Sequence, residues 1–196
     1  PFLPAQKSLG AHFLNSPTVP DWLVAAADLA PGEVVLEIGP GTGVLTSALL
    51  QAGVKVVALE TDPRALVLLK ERFAIELVSQ QLKLHQKDVR ELDPAALGLV
   101  DHEYKVVANI PYYLSGFLFR VFLESHCQPT TLVFLVQKEV ARRIVPANQR
   151  SSKSSLLQLS VTAFGEAKYV RDVVRGHFVP PPQVDSAIIA VRNISR

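Results

Sequence analysis

Short apolar runs alternate with amphipathic stretches along this chain, and the alternation predicts strand and helix in turn. Val34-Val35-Leu36-Glu37-Ile38 reads as a buried strand, and the glycine turn behind it opens a helix from about Val44 to Ala52. Val54 to Leu59 reads as a second strand ending at Glu60, after which Asp62 serves as N-cap and Pro63 as the first turn of a helix. Leu82 to His85 makes a short third strand before Asp88, and Tyr104 to Ala108 a fourth. A helix over Ser115 to Ser125 and a fifth strand over Thr130 to Val136 follow.

Past Lys138 the pattern changes. A helix near Glu139 to Val145 gives way to the polar stretch Pro146 to Ser155, then to a helix near Leu156 to Phe164. Two β-rich runs close the chain, Ala167 to Val174 and Ser186 to Arg192. Between them the three prolines of Phe178-Val179-Pro180-Pro181-Pro182-Gln183-Val184-Asp185 predict a stiff, extended connection.

Repeated βα units imply a mostly parallel, seven-stranded sheet with helices on both faces, a Rossmann-like α/β architecture whose ligands belong at the carboxyl ends of the strands. Gly39, Glu60, Asp88 and Asn109 all fall at predicted strand ends, and four unrelated surface residues would seldom share one edge. No internal repeat interrupts residues 1–196, so one domain is the simpler organisation.

Composition narrows the classes without choosing among them. Of 196 residues, 48% are apolar and 19% charged, the balance of a well-buried globular protein rather than a disordered one. A single cysteine, Cys127, excludes an intramolecular disulfide framework and fits a reducing compartment. No apolar run approaches the roughly 18 residues of a membrane span and no signal-peptide pattern opens the chain, so a cytoplasmic monomer with no membrane partner is the expectation. Methionine is missing even at position 1, which suggests a trimmed or engineered chain. A net charge of +2 argues for nothing by itself, but cations cluster: Lys138, Arg142 and Arg143 along a predicted helix, Arg150 and Lys153 in the polar loop, then Arg171, Arg175 and His177. A solvated helix face with Glu139 pairing to Arg143 would account for the first group; contact with RNA phosphates is the functional alternative.

The segment Glu37-Ile38-Gly39-Pro40-Gly41-Thr42-Gly43 suits a nucleoside. Gly39 and Gly41 allow a tight turn and close approach to a ligand, and Gly43 is expected to let the helix pack near the sheet. The order of glycines departs from the dinucleotide fingerprint, and no phosphate-binding lysine follows. Glu60, ending the next strand, suits the two hydroxyls of a ribose, and Asp88 an adenine amino group.

Asn109-Ile110-Pro111-Tyr112 has its own chemistry. An exocyclic amine is a poor nucleophile because its lone pair is delocalised into the ring, and accepting hydrogen bonds from its protons returns density to nitrogen. The Asn109 side-chain oxygen and a carbonyl in the turn stiffened by Pro111 supply two acceptors, and Tyr112 offers a stacking face. Beside a glycine turn, this arrangement favours S-adenosylmethionine over NAD and points to methyl transfer onto a base nitrogen, with no metal and no covalent nucleophile required.

With these residues in hand, the chain resembles the rRNA adenine N6,N6-dimethyltransferases, which include the small-subunit rRNA enzymes and the macrolide-resistance Erm enzymes of large-subunit rRNA. The matching segments are Lys7 to Leu14, Glu37 to Gly43, Leu59 to Asp62, Lys87 to Val89, Asn109 to Gly116 and Phe178 to Ser186, in family order over nearly the whole chain. The resemblance implies a class I methyltransferase fold, cofactor contacts at His12, Leu14, Gly39, Gly41, Glu60, Asp88 and Asn109, and a base held between Tyr112 and Phe178. It implies two successive methylations of adenine N6, with ribosomal RNA in an immature small subunit as the closer substrate match and large-subunit RNA as the alternative. Lys138, Arg142, Arg143, Arg171 and Arg175 are then the expected phosphate contacts.

Three departures from the family pattern bear on activity. Ala11 replaces the usual glutamine beside the cofactor, Ser154-Ser155-Leu156 lacks the usual Tyr-Gly, and the family's small helical carboxyl-terminal domain has no counterpart before Arg196. Cofactor binding with weak or absent turnover on ribosomal substrate is the resulting expectation. Two other readings stay open. A DNA adenine methyltransferase would more often carry Asp-Pro-Pro-Tyr or Asn-Pro-Pro-Tyr, against which Ile110 argues, and a non-catalytic RNA-binding or assembly factor would keep the fold without using the cofactor.

Overall fold

The computed structural model describes residues 13–145 and 155–195. His12, Ala11 and most of the polar stretch with Arg150 and Lys153 lie outside them. The chain forms β1 (Phe13–Leu14), α1 (Thr18–Ala27), β2 (Val34–Ile38), α2 (Val44–Gln51), β3 (Lys55–Glu60), α3 (Pro63–Arg72), α4 (Ala74–Val78), β4 (Leu82–Gln86), β5 (Tyr104–Asn109) and α5 (Ser115–Leu123). After these come β6 (Thr131–Gln137), α6 (Lys138–Ile144), α7 (Leu156–Phe164), β7 (Glu166–Val173), β8 (Phe178–Val179) and β9 (Ser186–Arg192).

Seven strands join in the order β4-β3-β2-β5-β6-β9-β7, with β4 to β6 parallel and β9 antiparallel to both of its neighbours. The central strands read as continuous apolar runs because both faces are covered, as parallel sheets require. Alternation then sorts their side chains. Leu36, Ile38, Val106, Ala108, Leu132, Phe134 and Ile189 enter one core, and Val35, Ala58, Val107, Val133, Leu135 and Ile188 enter the other with residues of α1, α2 and α3. The predicted strands and helices are present with ends moved by one to two residues, the ordinary uncertainty of element boundaries.

Sequence reading missed α1 altogether. Its apolar positions Val19, Leu23, Ala26 and Ala27 are buried at helical spacing, and Pro20 falls in the first turn, where no intrahelical N–H bond is lost. A two-stranded pairing was also missed: β1 runs antiparallel to β8, with Phe13 opposite Val179 and Leu14 opposite Phe178. The proline-rich connection therefore begins as a strand, and its Val179–Pro180 peptide is cis. Among the described residues, no helix is long and apolar enough to cross a membrane.

Candidate active site

Register brings the predicted residues to one rim. Ile38 of β2 lies opposite Leu59 of β3 on one side and Ala108 of β5 on the other, so Gly39 and Asn109 are the next residues of adjacent parallel strands, about 5 Å apart in strand spacing. Glu60 ends β3 beside Gln86 of β4, two residues before Asp88. Asn109 pairs with Leu135 on its other flank, and β9 starts at the same rim with Ser186 opposite Gln137. Helix connections change direction between β2 and β5, the switch point at which open α/β sheets bind ligands.

The glycine turn is held from inside. The N–H of Gly39 donates to Leu59 O at 2.8 Å and that of Gly43 to Pro40 O at 2.8 Å, while Gly39, Gly41 and Gly43 take φ of +66°, +56° and +79°. A Cβ at Gly39 would meet nothing within 4 Å among the described residues, so the backbone there faces open space. Gly43 corrects the sequence reading: a Cβ there would meet Phe73 at 2.6 Å and Leu69 at 2.8 Å, so the missing side chain makes room for the end of α3, not for the sheet. Glu60 braces the same turn. Its Oε2 accepts the Gly41 N–H at 3.0 Å and its Oε1 accepts Thr61 and Asp62 N–H groups at 2.7 and 2.9 Å. Oε2, with one such donor among the described residues, retains a lone pair for a ligand hydroxyl. The open backbone at Gly39 beside an acidic acceptor fits a nucleoside cofactor, with the Phe13 ring against Gly41.

Glu37, quoted in the motif but assigned no role from sequence, is completely buried beneath this turn. Thr46 donates its hydroxyl to Oε2 at 2.7 Å, and Oε1 has no hydrogen-bond partner among the described residues. Burial pushes the Glu37 pKa up to about 8, the Thr46 hydrogen bond opposing and the Glu60 charge adding to the rise.

Asn109 ends β5 half-buried, on the face that carries Val107 and the α1 side of the core. Pro111 precedes a single 3-10 turn over Tyr112–Leu114, closed by the Leu114 N–H to Pro111 O at 2.9 Å and by the Ser115 hydroxyl to Tyr112 O at 3.0 Å. The Tyr112 hydroxyl reaches Ser186 Oγ at 2.7 Å, so the ring lies half-buried along the rim between β5 and β9. Phe178, the expected second aromatic wall opposite Tyr112, lies buried. Only 2% of it is exposed, and it packs in the core shared with Leu14 and Val173.

Asp88 also departs from its expected part. Its carboxylate caps the turn over Val89–Glu91 through the Arg90 N–H and is gripped side-on by the Arg90 guanidinium, with the closest contact at 2.6 Å. Arg90 holds the carboxyl below its usual range, so it stays anionic, but an adenine amino group would have to share it.

Of the five expected phosphate contacts, Lys138 pairs with Asp172 at 2.7 Å, Arg142 lies 4.0 Å over the Tyr169 ring and Arg143 pairs with Glu139 as anticipated. Arg171 lies 3.5 Å over Trp22, and Arg175 donates its backbone N–H to Asp185 at 3.0 Å. They divide into an α6 group and an α1 group on either side of the β6-β9-β7 end of the rim.

Known proteins match this chain along its length. The model of the ribosomal RNA adenine dimethylase family matches residues 3–196. A ribosomal RNA small subunit methyltransferase A of Dehalococcoides mccartyi is 41% identical over 96% of this chain and 63% of its own length, and a mitochondrial small-subunit methyltransferase of Arabidopsis thaliana is 38% identical over 94% and 47%. This chain thus spans about 63% of the first of these relatives. Among solved structures, a dimethyladenosine transferase of Plasmodium falciparum superposes with a TM-score of 0.80 at 32% identity, covering 92% of this chain and 63% of that one. The 23S rRNA methyltransferase ErmE does so with 0.79 at 27% identity, covering 94% and 70%.

Proposed function

The chain belongs to the ribosomal RNA adenine dimethylase family, and from that membership we propose that it methylates adenine N6 in ribosomal RNA twice, with S-adenosylmethionine as donor. The observation that carries the proposal is the juxtaposition of Gly39 and Asn109 at the ends of neighbouring strands, at the switch point of the sheet. A nucleoside seated on the glycine turn, its ribose on Glu60, would sit next to whatever Asn109 holds.

S-adenosylmethionine, when bound, supplies a methyl group on a sulfonium, whose sulfur recovers the bonding pair as the methyl leaves. The chain itself has to aim the acceptor. Asn109 Oδ1 accepts a hydrogen bond from the N6 amine, keeps its lone pair directed at the donor and raises its nucleophilicity. Tyr112 stacks on the base so that N6 cannot slide along the rim. N6 gains the methyl carbon and passes its surplus proton to water. Phe178 closes the other side of the base after a shift from its buried position. His12, Leu14 and Gly41 complete the cofactor set in this reading, and Asp88 shares its carboxylate between adenine and Arg90.

The basic residues of the rim (Lys138, Arg142, Arg143, Arg171 and Arg175) flank the proposed base site and suit RNA phosphates on either side of an extruded adenine. The names of the two relatives described above favour the small ribosomal subunit as target. Methyl transfer from labelled S-adenosylmethionine to immature small subunits and to naked large-subunit RNA tests the proposal. Incorporation into the small subunit should exceed that into large-subunit RNA by about tenfold or more. The opposite preference would make the Erm-like reading correct, and no transfer to either, with calorimetric heat of cofactor binding intact, would refute the proposed activity.

A further inference from the structure

Ser186 has no role in the reading above, yet it holds the far end of the ring that would stack on the base. It is completely buried, opens β9 and sits between Gln137 of β6 and Val173 of β7. Its neighbour Asp185 is fixed twice, by the Lys138 N–H on its carbonyl at 3.0 Å and by the Arg175 N–H on its carboxylate at 3.0 Å. The hydroxyl that meets Tyr112 therefore projects from one of the most constrained points of the rim.

Tyr112 stands on one 3-10 turn whose hydrogen bonds fix its backbone, and its phenol hydroxyl reaches across to β9 at Ser186 Oγ. We propose that Ser186 is a positioning residue: its hydrogen bond sets the Tyr112 ring plane, ties the Asn109–Tyr112 turn to β9 and thereby controls how well the pocket accepts an amine that already carries one methyl. The phenol keeps its proton for this contact, since burial raises its pKa.

The link to the second methylation is geometric. Monomethylated N6 has one proton left to donate and a methyl group to accommodate, so its lone pair tolerates less lateral play of the stacked base than an unsubstituted amine does. A pinned ring supports both steps; a loose ring supports chiefly the first. This inference deepens the proposed reaction and rests on it.

Four variants and two readouts test it. In S186A the rate of the second methylation should fall about tenfold and that of the first about threefold, with cofactor affinity within about twofold, so that monomethyladenine accumulates. S186T, which keeps a hydroxyl, should restore the dimethylated product. Y112F removes the other half of the bond, and the S186A/Y112F double variant should be no worse than the poorer single one, as a shared interaction requires.

Contact itself is read without turnover by fluorine NMR of protein labelled with 3-fluorotyrosine, the Tyr112 signal being the one that Y112F removes. That signal should shift and broaden in S186A. An unmoved Tyr112 resonance, or strictly additive variants with the wild-type product ratio, would overturn the proposal. Failure of the wild-type chain to methylate any RNA would instead refute the proposed reaction, while the fluorine signal still decides whether Ser186 positions the ring.

Discussion

Asn109→Ala is expected to slow methyl transfer by about 100- to 1000-fold while changing the KM for RNA by only a few-fold, because an acceptor aligned on the reacting nitrogen acts mainly in the transition state. Asn109 is the last residue of β5, half-buried at the rim beside the glycine turn, so the variant should fold. Its partners in the proposed site are untouched, and calorimetry should still register cofactor binding. Asn109→Asp is the informative companion. It preserves an acceptor at the same reach and should recover activity to within about tenfold of wild type if hydrogen-bond acceptance is what matters. Equal inactivity of both variants would shift the role of this position from accepting the amine protons to shaping the turn.

Glu37→Gln is expected to remove a pH dependence of stability that the native chain carries. With a folded pKa near 8 and an unfolded value near 4.5, Glu37 folds protonated. Between those values the unfolded chain has released a proton that the native chain retains, so stability falls as pH rises through this window and levels off above about 8. The gap sets a ceiling of roughly 5 kcal/mol, and relaxation around the anion should leave a few kcal/mol. Glutamine keeps the acceptor for Thr46 and carries no charge, so its unfolding free energy should lack this decline. Denaturant titrations of both proteins at pH 5, 7 and 9 check the difference between them, which should grow with pH. Parallel profiles would mean that Glu37 is ionised in the native protein.

How far the structure could be read from sequence depended on the range of the interaction responsible. Strands such as Val34–Ile38 and Thr131–Gln137 are legible because two covered faces leave an uninterrupted apolar run, and the Asp62-Pro63 pair marked the start of α3 through a local cap. The rim residues Gly39, Glu60 and Asn109 were legible for the same reason, since each follows such a run. Helix α1 was readable in principle from Val19, Leu23, Ala26 and Ala27, with Pro20 masking the pattern.

Other features had no local signal. The pairing of Phe13 with Val179 and the bond between Tyr112 and Ser186 join residues far apart in sequence, and nothing in either segment announces its partner. Burial of Phe178 follows from that same long-range pairing. The grip of Arg90 on Asp88 is a different kind of omission. The spacing Asp-x-Arg occurs twice, at Asp62–Arg64 and Asp88–Arg90, and both arginines fold back onto the capping carboxylate, so a purely local reading could have found the pair.

The most direct test places the methyl group on an atom. Immature small subunits incubated with this protein and S-adenosylmethionine bearing a deuterated methyl, then digested to nucleosides and analysed by mass spectrometry, should yield N6,N6-dimethyladenosine with both methyl groups labelled. Label on a ribose oxygen, a ring nitrogen or another base would contradict the account, because the amine held by Asn109 would then not be the acceptor.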